Sequence, residues 1–113
     1  MTQYQTISLE IDQDIATLRL DRPDKMNALN TQMRAEITHA VQQGGREARV
    51  VVLTGEGRAF CSGQDLGDRE SAASIDLERV LRDEYIPMLN AIADCPRPTI
   101  AAVNGAAAGA GAN

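Results

Sequence analysis

Tryptophan is absent, phenylalanine occurs once and tyrosine twice, so aromatic residues make up only 3% of the 113-residue chain. Proteins that grip single-stranded nucleic acid need aromatic faces for base stacking beside a basic groove. Here 16 acidic residues outweigh 11 basic ones, for a net charge of −5. Nucleic acid is therefore excluded as an expected partner. Long apolar runs are missing too, and none approaches the ~20 residues that cross a bilayer. The N-terminus, MTQYQTISLE, lacks the basic-then-apolar order of a secretory signal. Cysteine occurs only at Cys61 and Cys95, too few for a disulfide framework and without metal-ligand spacing. These absences predict a soluble cytoplasmic protein with reduced thiols, no metal and no membrane partner.

What is present is ordinary for a globular chain: 43% hydrophobic and 24% charged residues, enough for one modest domain with a core. Residues 5–11, QTISLEI, alternate so that Ile7, Leu9 and Ile11 share a face, and 15–21, IATLRLD, do so with Ala16, Leu18 and Leu20. Asp12-Gln13-Asp14 between them is turn chemistry, which predicts a hairpin. RPDKMNALN brings a proline turn and then Asn30, a predicted helix N-cap. From Thr31, Met33, Ile37, Ala40 and Val41 recur at helical spacing, and Gly44-Gly45 is expected to end the helix. Val50–Leu53 is continuously apolar, as in a strand buried on both faces of a partly parallel sheet.

RAFCSGQDL (58–66) reads as a loop around Gly63. Ile75–Ala93 reads as an amphipathic helix whose stripe is Leu77, Val80, Leu81, Tyr85, Met88, Leu89 and Ile92, kinked or divided at Pro87. CPRP at 95–98 launches a buried strand over Thr99–Val103, and the alanines of NGAAAGAGAN predict the start of a third helix. The order β-β-α-β-α-β, then a Gly/Ala segment, is an α/β pattern. A strand without its following helix predicts an N-terminal portion of a larger domain.

Two strands thus run into glycine loops expected to precede helices, VVVLTGEGRAFCSGQDL and TIAAVNGAAAGAGAN. A helix start offers unpaired N–H groups, and small residues let an acceptor come close to them. Two such loops facing each other could present two donors to one oxygen and stabilise charge developing on a carbonyl. A plainer reading is a Gly/Ala helix packed closely on a sheet. A third is nucleotide binding: Gly109 and Gly111 begin a G-x-G-x-x-G pattern whose last position would be 114. No acidic residue on a following strand is available for a ribose, and no phosphate loop ending in Lys-Ser/Thr is present.

RAFCSGQDL, RPTIAAVNGAAAGAGAN and the upstream LDRPDKMNALN resemble, in order and spacing over essentially the whole chain, the crotonase superfamily of enoyl-CoA hydratases and isomerases. The resemblance implies a crotonase-like spiral of β-β-α units, with residues 1–113 as the N-terminal part of a single acyl-CoA-binding domain. It implies that the N–H groups of Gln64, after Gly63, and of Ala110, between Gly109 and Gly111, cradle a thioester oxygen and stabilise an enolate. Lys25, Met26, Ala28, Ser62, Gly63 and Gly109 are the implied CoA-binding residues. Coenzyme A enters as part of the substrate, with no separate cofactor, and a homotrimer or hexamer is implied. Within the family, CSGQDL combined with GAAAGAGAN is most similar to the ring-epoxide isomerases acting on phenylacetyl-CoA derivatives.

The family's hydratases carry two glutamates, and the first falls where this chain has Asn113. A carboxamide cannot take a proton at neutral pH, so it is no general base. The second acid would fall beyond residue 113. Two-glutamate hydration is therefore disfavoured, and a single-acid isomerase stays open. The alternative is a CoA- or nucleotide-binding module without catalysis.

Other residues invite plainer expectations. Asp65 is expected to cap a following helix, and His39 to be a solvated or partly packed helix residue. Cys61 has no basic partner in sequence and is expected to pack rather than attack. Met26 and Met33 are expected in the core or a pocket wall, and DLERVLRDE (76–84) on a solvated helix face. Arg22 and Arg97 could meet CoA phosphates, with surface exposure the default.

Overall fold

In the computed structural model, residues 3–65 and 77–113 are described, Leu77 by its backbone alone. The N-terminal hairpin is present as β1 (Ile7–Asp12) and β2 (Ile15–Leu20), paired antiparallel with Ile7 opposite Leu20. Its loop is the residue pair Gln13-Asp14, with φ of 51° and 66°. Two successive left-handed residues define the mirror-image turn whose twist matches paired strands. Of the two predicted faces, Ala16, Leu18 and Leu20 are fully buried, whereas the other runs from buried Ile7 to exposed Ile11.

α1 (Thr31–Glu47) starts where Asn30 places its side-chain oxygen to accept the Met33 N–H at 2.8 Å. Met33, Ile37, Ala40 and Val41 are all buried, and each large apolar side chain so placed contributes about 1.5–3 kcal/mol. The helix does not stop at Gly44-Gly45. A Cβ on Gly44 would lie 3.1 Å from the Ala16 Cβ, and one on Gly45 3.0 Å from the Cys95 sulfur. These glycines bring the last turns down onto the sheet and the following segment; Ala48 caps instead, its N–H returning to the Gly44 carbonyl.

β3 (Val50–Gly55) pairs parallel with β2, and β5 (Thr99–Ala101) pairs parallel with β3, giving the order β1-β2-β3-β5. Only Val51 in β3 is fully buried; Val50, Val52 and Leu53 keep partial exposure. β5 is shorter than predicted and is not buried, with Ile100 51% and Val103 58% exposed. It is an outer strand of this sheet, so packing covers less of it than the unbroken apolar run suggested.

The predicted helix over 75–93 is described from residue 77 and is not one regular helix. α2 (Leu77–Val80) passes through a wide turn (Leu81–Tyr85) into α3 (Ile86–Ala93). The Ile86 N–H bonds the Leu81 carbonyl, five residues back, just before Pro87, which has no N–H to offer. The extra residue advances the inward face: Val80, Tyr85 and Met88 are buried, whereas Leu81 and Leu89 of the expected stripe are exposed.

Two further expectations are corrected. Ala59–Cys61 is not loop but a short buried strand, β4, paired parallel with β6 (Ala106–Ala107). The Gly/Ala segment does not begin a regular α-helix; after β6 it makes a single 3₁₀ turn over Gly109–Gly111.

Candidate functional site

Residues 22–29 form a tight turn whose backbone is fixed from inside. Met26 and Asn27 are both left-handed, with φ of 52° and 58°. Asn27, fully buried, accepts the Arg22 N–H at 2.8 Å. Its amide nitrogen lies 3.0–3.2 Å from the carbonyl oxygens of Glu56, Ala59 and Phe60. One side chain therefore ties this turn to both ends of the loop entering β4. Side-chain amides tolerate the left-handed region and satisfy buried carbonyls that would otherwise cost about 1–3 kcal/mol each.

Residues 62–65 lie along that turn. The Ser62 N–H donates to the Met26 carbonyl at 3.1 Å, the Leu29 N–H to the Gly63 carbonyl at 2.7 Å, and the Asp65 N–H to the Leu29 carbonyl at 2.9 Å. Leu29 and Gln64 form an isolated parallel bridge. In that pattern Gln64's own N–H and C=O face away from Leu29. Arg22 closes the far end, donating to the Ala28 carbonyl and to Asp65 Oδ2 at 2.8 Å.

The Gly/Ala segment abuts the opposite side. The Ala108 N–H donates to the Cys61 carbonyl at 3.1 Å. A Cβ on Gly105 would strike the Arg58 carbonyl, and one on Gly111 would strike the Cys61 carbonyl. Those two glycines allow the chain's own backbone to approach. Gly63 has φ of 107°, and a Cβ there would lie 3.0 Å from the Ala108 oxygen and 3.6 Å from the Ala110 nitrogen. Among the described residues, neither the Gln64 nor the Ala110 N–H donates a hydrogen bond. Asn104 secures the segment, accepting the Gly55 N–H at 3.0 Å and donating to the Gly57 and Ala59 carbonyls.

Beside Ala110 opens an apolar cavity of about 320 Å³, walled by Leu29, Leu53, Phe60, Met88 and Ile100, with Asn113 contributing one of its few polar side chains. That volume is within the range of small-molecule pockets, about 300–1,000 Å³. Cys61 also lines it, and burial pushes its thiol up despite a hydrogen bond from the Gly63 N–H. It is a protonated packing residue rather than a thiolate.

The residues proposed from sequence gather into three adjoining stretches of backbone: Lys25, Met26 and Ala28; Ser62, Gly63 and Gln64; Gly109 and Ala110. Lys25 and Ser62 are exposed, Ala28 and Gly63 buried, and Gly109 is left-handed with φ of 54°. Arg22 is not a free surface cation but a clamp, with both it and Asp65 only 17% exposed. The helix that Asp65 was expected to cap lies outside the described residues. Met33 is core, Met26 half-buried and Arg97 exposed. His39 is exposed on α1 and hydrogen-bonded to the Tyr4 hydroxyl at 2.7 Å.

Sequence reasoning missed Asn27 and Asn104; the Asn-Gly pair at 104–105 is a turn signal that could have marked the latter. It also missed Arg34, 1% exposed, which binds Glu84 at 2.7 Å and lies 4.6 Å from the Tyr85 ring centroid. The 76–84 stretch is therefore not simply a solvated face. Among the described residues no group of His, Cys, Asp or Glu could hold a metal ion, and no helix is long and apolar enough to cross a membrane.

An α/β frame thus presses two small-residue loops together beside an apolar cavity. Residues 10–113 match the family model described as enoyl-CoA hydratase/isomerase. The chain is 61% identical over 110 residues to a Rhodobacter capsulatus protein named "Probable enoyl-CoA hydratase", covering 97% of this chain and 42% of that protein. It is 40% identical over 107 residues to the 1,2-epoxyphenylacetyl-CoA isomerase of Escherichia coli K12, covering 90% of this chain and 41% of the isomerase. The crystal structure of an enoyl-CoA hydratase from Shewanella pealeana superposes with a TM-score of 0.88 at 30% identity, over 96% of this chain and 43% of that one. The chain belongs to the enoyl-CoA hydratase/isomerase family, within the crotonase superfamily. It spans about two fifths of the length of these relatives.

Proposed function

We propose that this chain supplies the thioester-binding part of an acyl-CoA isomerase or hydratase. The Gln64 and Ala110 N–H groups are the paired donors to the acyl oxygen. The observation that carries this reading is the contact between their loops, where Gly63 lies against Ala108 and Ala110 while both N–H groups lack an acceptor among the described residues. As a proton leaves the substrate or a nucleophile adds, negative charge collects on that oxygen. Fixed donors stabilise it without reorganisation, each being worth about 10²–10³ in rate.

The acyl group takes the apolar cavity beside Ala110, and the CoA arm runs along Lys25, Met26, Ala28, Ser62, Gly63 and Gly109. Coenzyme A is part of the substrate, and no separate cofactor is invoked. Asn113, at the cavity wall, can donate or accept a hydrogen bond but cannot remove a proton. Single-acid isomerisation is thereby favoured over two-carboxylate hydration, and the similarity to the Escherichia coli isomerase nominates ring epoxides of phenylacetyl-CoA as substrates. The working assembly is a homotrimer or hexamer.

The test is turnover of 1,2-epoxyphenylacetyl-CoA and of crotonyl-CoA by the natural protein carrying this sequence, with Ala110→Pro beside it. Proline removes the N–H, and its fixed φ suits a 3₁₀ turn. We expect kcat to fall by about 10²–10³ with little change in Tm. An unchanged kcat would remove Ala110 from the site. Acyl-CoA binding without turnover of either substrate would instead support a non-catalytic binding module.

A further inference from the structure

We infer that Arg22 is a positioning residue that orients and polarises the Gln64 N–H through two intervening peptide groups. The inference rests on the reading of that N–H as a donor to the thioester oxygen.

Arg22 Nη1 donates to the Ala28 carbonyl at 2.5 Å. The same peptide group carries the Leu29 N–H, which donates to the Gly63 carbonyl at 2.7 Å. The peptide group of that carbonyl carries the Gln64 N–H. No peptide bond among the described residues is cis, so in each of these units the N–H points opposite to the C=O. The result is a continuous line: guanidinium, Ala28 carbonyl, Leu29 N–H, Gly63 carbonyl, Gln64 N–H.

Each bond draws electron density toward the cation and leaves the next N–H a stronger donor, by about 10–30% per bond. The line also fixes direction, because a bonded Gly63 carbonyl sets the plane from which the Gln64 N–H projects. Among the described residues Leu29 and Gln64 form an isolated bridge, with no flanking ladder there to hold that plane. Asp65, next to Gln64, anchors the guanidinium at 2.8 Å, and both side chains are only 17% exposed. A half-buried charge at the head of the line is screened less than a surface one. A further constraint comes from Asn27, which accepts the Arg22 backbone N–H at 2.8 Å.

The experiment uses the natural protein carrying this sequence, with phenylacetyl-CoA labelled with ¹³C at the thioester carbon. Infrared difference spectra read the carbonyl stretch of the bound ligand, and steady-state turnover gives kcat and KM separately. The wild type should lower the stretch relative to free ligand. Arg22→Met should cut that displacement and lower kcat by about three- to tenfold, with KM nearly unchanged. Arg22→Lys, keeping a cation within reach of Ala28, should restore part of both, and Asp65→Asn should fall between. If Arg22→Met does not fold, the order of wild type, Arg22→Lys and Asp65→Asn decides. A full displacement and full kcat in every folded variant would overturn the role of Arg22 while leaving the donor reading intact. No displacement in the wild type would overturn the donor reading itself.

Discussion

Residues 22–29 and residues 104–111 flank the same short strand, β4, and the loops at its two ends, and they are held there by opposite means. The first segment uses side chains: Asn27 reaches three carbonyls, and Arg22 ties Ala28 to Asp65. The second has only Asn104 to do so and otherwise depends on side chains it lacks, because Gly105 and Gly111 sit where any Cβ would strike a carbonyl. Polar side chains fix a turn by satisfying buried acceptors; glycines fix one by allowing backbone contact. The second solution leaves the Ala110 N–H beside the cavity without an acceptor among the described residues.

Gly111→Ala should disturb the glycine-held segment most, because its Cβ would lie 2.8 Å from the Cys61 Cβ and nearer still to the Cys61 carbonyl oxygen. We expect a loss of at least about 3 kcal/mol, measured by chemical denaturation, since backbone cannot yield as a flexible side chain does. Asn27→Ala should cost about 3 kcal/mol by stranding buried carbonyls, and Asn104→Ala, at a more exposed site, about 1 kcal/mol. Equal losses at the two asparagines would show that the segments share one mode of support. Gly109→Ala should cost only about 1 kcal/mol. Its φ is 54°, but nothing lies within 4 Å of a Cβ there, so conformation alone resists the change.

The smallest effect lies outside both segments and serves as a control. Burial raises the Glu36 pKa, but hydrogen bonds from Thr6, Gln32 and the Gln5 and Thr6 N–H groups outweigh it and leave it below its ordinary value. A depressed carboxyl stabilises the fold above its unfolded-state pKa and loses that contribution as pH falls through the folded-state value. Acid titration should therefore loosen the start of β1 first, seen as faster amide exchange at Gln5 and Thr6. Glu36→Gln should abolish that pH dependence and leave acyl-CoA turnover unchanged.

Local patterns were legible wherever the deciding contacts are local. The hairpin turn, the Asn30 cap and the buried stripe of α1 follow from residue spacing and turn chemistry alone. Gly44-Gly45 misled because a glycine that ends a helix and one that lets a helix approach a sheet look alike in sequence. The wide turn before Pro87 misled for a related reason: one extra residue moves Leu81 and Leu89 outward while the composition of the stripe is unchanged. β4, only Ala59–Cys61, is too short to show a period, and its partner lies more than forty positions away.

The candidate site divides in the same way. The motifs pointed to Lys25, Met26 and Ala28, to Ser62, Gly63 and Gln64, and to Gly109 and Ala110, but nothing in them says that Asn27 bridges the first stretch to β4 or that Arg22 heads a line of peptide bonds to Gln64. Those are long-range hydrogen bonds, and spacing along the chain does not encode them.

The family, the hairpin, the first helix and the two glycine-bearing loops are written in the order of residues, since they depend on local periodicity, turn residues and motif order. Which carbonyls Asn27 and Asn104 satisfy, which glycines make room for backbone, and which way the Gln64 N–H projects are settled when the chain folds. Direction and close approach are properties of distant segments brought together, and a linear order of residues carries neither.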